Sequence, residues 1–245
     1  MNANQFRLDA DGIDAHFGIM WLGQFYATNL LWPLLRKTSK LPDAPAPRIV
    51  FESSEQHRAA PSVVHFGSLE EINDQEIGNL EVYGRAKLAT ILGMKYGLLD
   101  RVIKPNNDNI FVLCVHPGAV GRFQSFSHKQ KDRLLTQEYH KVNTAMQQQW
   151  KDAYPGLFGN IVSKLMIAVG RDVETGSYSA LYAATSPEIE EKGWNGYYLQ
   201  DVGSPGKETS QASDPKLGAA LWDLSARLIK DKVGPDAFTP WDEAA

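Results

Sequence analysis

Apolar side chains recur every three or four positions in several long segments of the chain, and this spacing predicts amphipathic helices. The clearest case is the segment 13–36, in which this face is formed by Ile13, Phe17, Trp21, Phe25 and Thr28. The stretch Asp11-Gly-Ile-Asp14 opens the segment with an acidic residue of the kind that often begins a helix. Further helices are predicted over 82–101, 127–153, 157–169, 173–185 and 217–230.

Three short apolar runs lie between these segments and predict strands over 48–52, 110–115 and 195–200. The second run has no alternation of apolar and polar residues, so we expect that strand to be buried on both faces. Ser54 follows the first run and His116-Pro-Gly follows the second, and both stretches are typical of strand ends. Residues 55–80 show neither spacing and are predicted to be irregular.

The alternation of strands and helices predicts an α/β fold with a parallel sheet and flanking helices. The 245 residues suit a single domain, 1–245. The strand over 48–52 would lie at an open edge of this sheet, where an apolar strand is an aggregation hazard. No stretch before Ser54 has the pattern of a strand, a glycine-rich turn and a helix. We therefore expect N-terminal strands of the sheet to be missing from this sequence.

The amino-acid composition limits which binding partners and which cellular compartment are expected for this protein. The net charge of −4 gives no reason to expect nucleic acid or an anionic membrane as a partner. Cys114 is the single cysteine and lies inside an apolar run, so we expect a buried thiol and a reducing compartment such as the cytoplasm. The apolar segment 18–35 contains Gln24, Asn29 and Pro33, which favours a buried helix over a membrane span.

Candidate chemistry centres on a tyrosine and a lysine four positions apart on one predicted helix, so that both side chains project from the same face. They are Tyr83 and Lys87, and Ser54 ends the strand before them. A tyrosine with an ordinary pKa is a poor base at neutral pH, and a nearby ammonium group favours the phenolate. The Ser54 hydroxyl could polarise a carbonyl or stabilise an alkoxide.

In this context the chain resembles the C-terminal two-thirds of a short-chain dehydrogenase/reductase, most closely the retinol-dehydrogenase-like and fungal members. The matching stretches cover most of residues 11–230 and include RIVFESSEQHR, YGRAKLATILG, VLCVHPGAVGR and NGYYLQDVG. The resemblance implies a Rossmann-like fold and a hydride transfer between NADP and a hydrophobic secondary alcohol or ketone. A role in secondary-metabolite biosynthesis and a dimer surface on the long helices 13–36 and 82–101 are further expectations of this kind.

The same resemblance implies roles for individual residues. Tyr83 would be the general acid and base, and Ser54 would orient the reacting oxygen. Lys87 would lower the pKa of Tyr83 and hold the nicotinamide ribose. Val120, which follows Pro117-Gly118, would lie against the nicotinamide.

The sequence departs from the family pattern at several positions. Met20 stands where the family helix carries an asparagine of the proton relay, and a thioether cannot replace an amide. Arg122 stands where a threonine or serine is usual near the carboxamide. Glu52 adds a carboxylate that could raise the pKa of Tyr83. The family's N-terminal phosphate-binding turn has no counterpart in residues 1–10.

Two functions therefore stay open from the sequence. The first is an NADP-dependent oxidoreductase that uses Ser54, Tyr83 and Lys87. The second is a non-catalytic, truncated remnant that binds a full-length relative through its long helices. No metal site is expected, because His57, His65 and His116 form no metal-binding spacing with Cys114. His116 is expected to be a structural residue at a strand end.

Overall fold

A computed structural model describes residues 6–117 and 173–242 of the protein. The predicted helices over 127–153 and 157–169 lie outside these residues. Within them, helices pack on a sheet of short strands, and the α/β class is confirmed. No helix of this part of the chain is long and apolar enough to cross a membrane.

The first helix, α1, runs continuously from Ala15 to Ser39, and its hydrogen-bonding pattern changes along its length. The segments Ala15–Phe17 and Gly23–Ser39 are α-helical, whereas Gly18–Leu22 between them is π-helical. The helix begins where the Asp14 side chain accepts hydrogen bonds from the backbone N–H groups of the first turn, which would otherwise lack partners.

Five further helices follow in the part of the chain that the structure describes. The longest, α3, comprises the α-helical Asn79–Leu92, the π-helical Gly93–Ile103 and the final turn Lys104–Asn106. The C-terminal helix, α6, spans Pro215–Val233 and begins at the capping residue Asp214. The remaining helices are α2, Leu69–Ile72, α4, Val173–Thr185, and α5, Glu188–Glu191. Short 3₁₀ turns form Glu55–Ala59 and Gln211–Ser213.

The sheet has the order β1-β2-β3-β4. Its strands are β1, Arg48–Glu52, β2, Phe111–Val115, β3, Tyr198–Asp201, and β4, Ser204–Pro205. The first three are parallel, as predicted. The two-residue β4 pairs antiparallel with β3 after a turn at Gly203, so the sheet is mixed. So short a strand has no apolar pattern in the sequence, which is why it was not predicted.

Both faces of β2 are buried, as its apolar run predicts. Val112 and Cys114 join the large core beneath α1, α3 and α6, whereas Leu113 and Val115 join a smaller cluster beneath α4. The thiol of Cys114 is fully buried and its pKa is raised by burial, so its predicted structural role is confirmed. Among the described residues, β1 pairs only with β2, which leaves its other edge open as expected.

Two indole rings pack directly on glycines of α3 and so hold α1, α3 and α6 together. A Cβ atom on Gly93 would lie 1.9 Å from the ring of Trp21, and one on Gly97 would lie 2.3 Å from the ring of Trp222. The indole N–H of Trp21 donates to the hydroxyl of Ser225 at 2.8 Å, which ties α1 to α6. These contacts make Trp21 a core residue, as its spacing in the sequence predicts.

The C-terminal segment after α6 returns to α1. The amide of Asn29 donates to the carbonyl of Thr239 at 2.8 Å and accepts from its N–H at 3.0 Å. The indole N–H of Trp32 donates to the carbonyl of Trp241 at 3.0 Å. One face of α1 is therefore buried against residues more than 200 positions later in the chain.

Candidate active site

The structure brings together three of the residues singled out in the sequence. Ser54 follows β1, while Tyr83 and Lys87 lie on the first turns of α3. The side chain of Ser54 lies close enough to the Tyr83 phenol to lower its pKa. All three residues are buried, with 8 % of the surface of each exposed. The spacing of Tyr83 and Lys87 thus places both on the face of α3 that meets the end of β1.

Gly84 allows α3 to lie close to the turn that follows β1. A Cβ atom at this position would lie 2.6 Å from the backbone of Ala59 and Ala60 and 2.8 Å from the carbonyl of Gln56. No other residue type would let α3 lie so close to the turn Glu55–Ala59 without displacement. That turn begins at Ser54, whose hydroxyl accepts from the N–H of Gln56 at 3.2 Å. The glycine in Tyr83-Gly-Arg therefore sets the distance between Tyr83 and Ser54.

Lys87 is held by the end of β1. Its Nζ donates to the carbonyl of Glu52 at 2.8 Å and lies 5.6 Å from the centre of the Tyr83 ring. The carbonyl of Lys87 accepts from the hydroxyl of Ser53 at 3.0 Å and from that of Thr90 at 2.7 Å. Burial lowers the pKa of Lys87, and the carboxylate of Glu52 partly opposes this effect.

The pKa of Tyr83 shifts in the direction opposite to the one expected from its lysine. Burial raises it, the interaction with the Ser54 side chain lowers it, and the carboxylate of Glu52 raises it further. The expectation that Glu52 opposes the phenolate is therefore supported, whereas lowering by Lys87 is not seen. The physical reason is that the Lys87 ammonium donates to the Glu52 carbonyl, while the phenol itself is removed from water.

Two histidines lie close to these residues. The Nδ1 atom of His57 lies 2.7 Å from the carbonyl of Ser54, and its ring is fully buried, which lowers its pKa. His16, which the sequence analysis did not single out, packs edge-on against the ring of Tyr83 with 6.4 Å between the ring centres. Its only sequence signal is the pattern Asp14-x-His16 at the start of α1.

Met20, which stands where the family helix carries an asparagine, lies beside Tyr83 and Ala86 in a small buried cluster. It occupies the π-helical part of α1, one turn after His16. Val120 and Arg122 lie outside the described residues.

Among residues 6–117 and 173–242, no group of histidine, cysteine and carboxylate side chains could hold a metal ion. His116 is buried at the end of β2, where its backbone N–H donates to the backbone carbonyl of Leu199 at 2.8 Å.

The chain is similar to curated oxidoreductases over most of its length, although no family model matches it. It is 29% identical over 230 residues to a protein of Neurospora crassa whose name is "Putative oxidoreductase bli-4, mitochondrial". It is 29% identical over 235 residues to the polyprenol dehydrogenase of Danio rerio and 29% identical over 222 residues to human retinol dehydrogenase 14.

The three alignments cover 93%, 91% and 89% of this chain but 49%, 57% and 53% of those proteins. The chain thus spans about half the length of the curated relatives it matches. A crystal structure of an uncharacterised protein of Mycobacterium paratuberculosis has a similar fold, with a TM-score of 0.54 and 21% identity. That alignment covers 93% of this chain and 63% of the other, and it bears on the fold alone.

Proposed function

We propose that this chain, a homologue of the oxidoreductases of the short-chain dehydrogenase/reductase family, carries the proton-transfer centre of an NADP-dependent enzyme. The reaction would interconvert a hydrophobic secondary alcohol and its ketone. The observation that carries the proposal is the buried contact between Ser54 and Tyr83, with Lys87 on the same face of α3.

Tyr83 would move the proton. In ketone reduction its phenol would donate to the carbonyl oxygen, and in alcohol oxidation its phenolate would accept the hydroxyl proton. Ser54, whose side chain interacts with the Tyr83 phenol, would donate to the same substrate oxygen and stabilise negative charge on it. Because burial raises the pKa of Tyr83, the phenol is the prevailing form at neutral pH, which suits the reductive direction.

The nicotinamide ribose of a cofactor fits the surroundings of Lys87. The ammonium group has three N–H donors, and the carbonyl of Glu52 takes one of them. The remaining donors could hold ribose hydroxyls at the end of β1, with Val120 as the proposed neighbour of the nicotinamide. The cofactor would supply the hydride. NADP rather than NAD is part of the proposal and rests on the family resemblance.

The substrate class, pathway and compartment are also proposals. The apolar side chain of Met20 beside Tyr83 and the names of two relatives, polyprenol and retinol dehydrogenase, support a hydrophobic substrate. We place the reaction in secondary-metabolite biosynthesis by resemblance to fungal members. The buried reduced thiol of Cys114 suits a cytoplasmic location.

Substitution of Tyr83 tests the proposed chemistry. We expect Tyr83→Phe to lower the rate of NADPH-dependent reduction of 9,10-phenanthrenequinone at least about 100-fold, because it removes only the acidic hydroxyl. Tyr197→Phe, which changes an exposed tyrosine immediately before β3, is the matched control. Equal turnover in wild type and Tyr83→Phe would contradict the role of Tyr83.

A second function is favoured by two open surfaces. Among the described residues β2 is the only strand that pairs with β1, and α1 exposes leucines at positions 30, 31 and 34. An open strand edge and an apolar helix face can be covered by another chain. The alternative proposal is a non-catalytic chain that pairs with a second copy or with a longer relative through these surfaces.

Light scattering and cofactor titration separate the two functions. A chain that binds NADPH and turns over the quinone is the enzyme, whatever its mass. A folded chain that binds no NADPH but elutes as a dimer, or with an added full-length relative, is the binding protein. Substituting Leu31 and Leu34 by Gln should then restore the monomer.

A further inference from the structure

Asp14 and His16 form a buried pair beside Tyr83. The imidazole Nδ1 lies 3.3 Å from the Asp14 carboxylate, and 0 % of Asp14 and 1 % of His16 are exposed. A carboxylate can only accept, so Nδ1 carries the proton in this contact, and the neutral ring then presents Nε2 as an acceptor. The structure therefore fixes which nitrogen of His16 faces away from Asp14.

The Nε2 atom of His16 has no hydrogen-bond partner among the described residues, although it is buried. A buried polar atom without a partner costs free energy comparable to a lost hydrogen bond, so such atoms call for an explanation. The ring lies edge-on to Tyr83 with an interplanar angle of 88°, and the neighbour one turn later is Met20, which can neither donate nor exchange a proton.

From these observations we propose that Asp14 and His16 are a proton-accepting dyad that positions and serves Tyr83. This inference rests on the proposed function. In alcohol oxidation the substrate hydroxyl proton would pass to the Tyr83 phenolate, and a bound NADP would supply the acceptor for the hydride and its electron pair. The regenerated phenol then loses its proton through one bridging water to Nε2 of His16. Asp14 stabilises the resulting imidazolium, and reduction reverses each step.

The charged and titratable groups that face the dyad and Tyr83 lie at the start of α1, on α3 and at the end of β1. Asp14 faces His16 from the start of α1, and Arg85 on α3 reaches Asp14 with 3.9 Å between nitrogen and oxygen. On its other side Tyr83 meets Ser54 and Glu52 at the end of β1 and Lys87 on α3.

Asp14 also caps α1, so its substitution must preserve the cap. The carboxylate accepts from the N–H groups of His16 and Phe17 at 3.3 Å and 3.2 Å. Asparagine is an equally good N-cap, so Asp14→Asn keeps the helix start and removes only the negative charge. His16→Gln likewise keeps a polar side chain but cannot ionise.

Nitrogen NMR of the full chain tests the dyad without any assay of activity. With labelled histidine, the Nε2 resonance of His16 is assigned by its loss in His16→Gln. We expect an unprotonated Nε2 whose resonance moves in Tyr83→Phe and stays unchanged in Tyr197→Phe. A purely structural histidine would keep the Nδ1 contact with Asp14 but would not respond to the Tyr83 hydroxyl. A protonated Nε2, or a resonance insensitive to Tyr83→Phe, overturns the proposal.

Kinetics provide the second readout. If wild type reduces the quinone, His16→Gln and Asp14→Asn should lower kcat about 100-fold and 10-fold, with little change in KM, and remove one ionisation from the pH profile. Imidazole should partly restore turnover to His16→Ala. His65→Gln, which changes an exposed histidine, should leave kcat unchanged. Unchanged kcat in His16→Gln overturns the dyad, whereas an inactive wild type with a Tyr83-sensitive Nε2 overturns only the proposed enzyme function.

Discussion

The junction of α1, α3 and α6 and the site at the end of β1 share the same two helices but are held together in different ways. In the junction, indole rings fill spaces that glycines leave open, and a buried hydrogen bond joins Trp21 to Ser225. At the site, the side chains of Ser54, Tyr83 and Lys87 are nearly as buried, but they use their polar atoms. The comparison teaches that apolar packing fixes where the helices lie, and that the position of Tyr83 follows from it.

Removal of an indole from the junction should have the largest effect on stability. We expect Trp21→Ala to lower the free energy of unfolding by about 3–5 kcal/mol, because it leaves a cavity over Gly93 and removes the hydrogen bond from the indole to Ser225. Urea denaturation followed by circular dichroism measures this change. Leu34→Ala changes the exposed side of the same helix and should stay within about 0.5 kcal/mol of wild type. Similar losses in both variants would mean that the junction does not dominate stability.

A methyl group at the contact between α3 and the turn after β1 should have a smaller effect on stability but a direct one on the site. We expect Gly84→Ala to cost about 1–3 kcal/mol, since its Cβ would overlap the backbone of Ala59 and Ala60. The same displacement would move Tyr83 away from Ser54. The change is measured by thermal unfolding and by quinone reduction.

Gly176→Ala in α4 is the matched control for that substitution. Its Cβ would meet the nearest atom, the carbonyl oxygen of Pro117, at an ordinary 3.5 Å. In a helix this change should stabilise the protein by about 0.5–1 kcal/mol. If Gly84→Ala also stabilised the protein, the close approach of α3 to the turn would not be needed for folding.

Neutralising Glu52 should have the smallest effect, because its side chain is exposed. Burial raises the pKa of Tyr83 and Glu52 raises it further, so Glu52→Gln should lower that pKa. The phenol needed for reduction would then be lost at lower pH, and the falling limb of the rate profile should move to lower pH by a small amount, because solvent screens the exposed Glu52. High salt should reduce the difference between the two proteins. Glu191→Gln, on the exposed helix α5, should leave the profile in place, and an upward shift in Glu52→Gln would contradict the assigned sign.

Much of the fold could be predicted because apolar spacing is a local property. The bounds of β1 and α4 were predicted to the residue. All five residues that the spacing selected are buried, four of them on α1 and Ile13 just before it. Helix α3 extends beyond the predicted 82–101 because packing against α6 supports its long π-helical part. The short β4 depends on its pairing with β3, which no local pattern shows.

The site was less predictable, since it depends on contacts between distant segments. Spacing and resemblance pointed to Tyr83, Lys87 and Ser54, and the structure places them together. The direction of the Tyr83 pKa depends on burial and on where the Lys87 ammonium donates, and neither can be deduced from their spacing. His16 was missed because an aspartate two residues before a histidine is common, and only the fold brings the pair against Tyr83.

The pairing of α1 with the end of the chain has a consequence for synthesis. Ser225 and Thr239, which bind Trp21 and Asn29, follow them by 204 and 210 residues. At a translation rate of about 5–20 residues per second, those partners emerge roughly 10 to 40 s after α1. During this interval the aromatic face of the helix, with Trp21, Phe25 and Trp32, is available to other nascent chains. The protein is therefore expected to depend on chaperones at the ribosome more than its finished core would suggest.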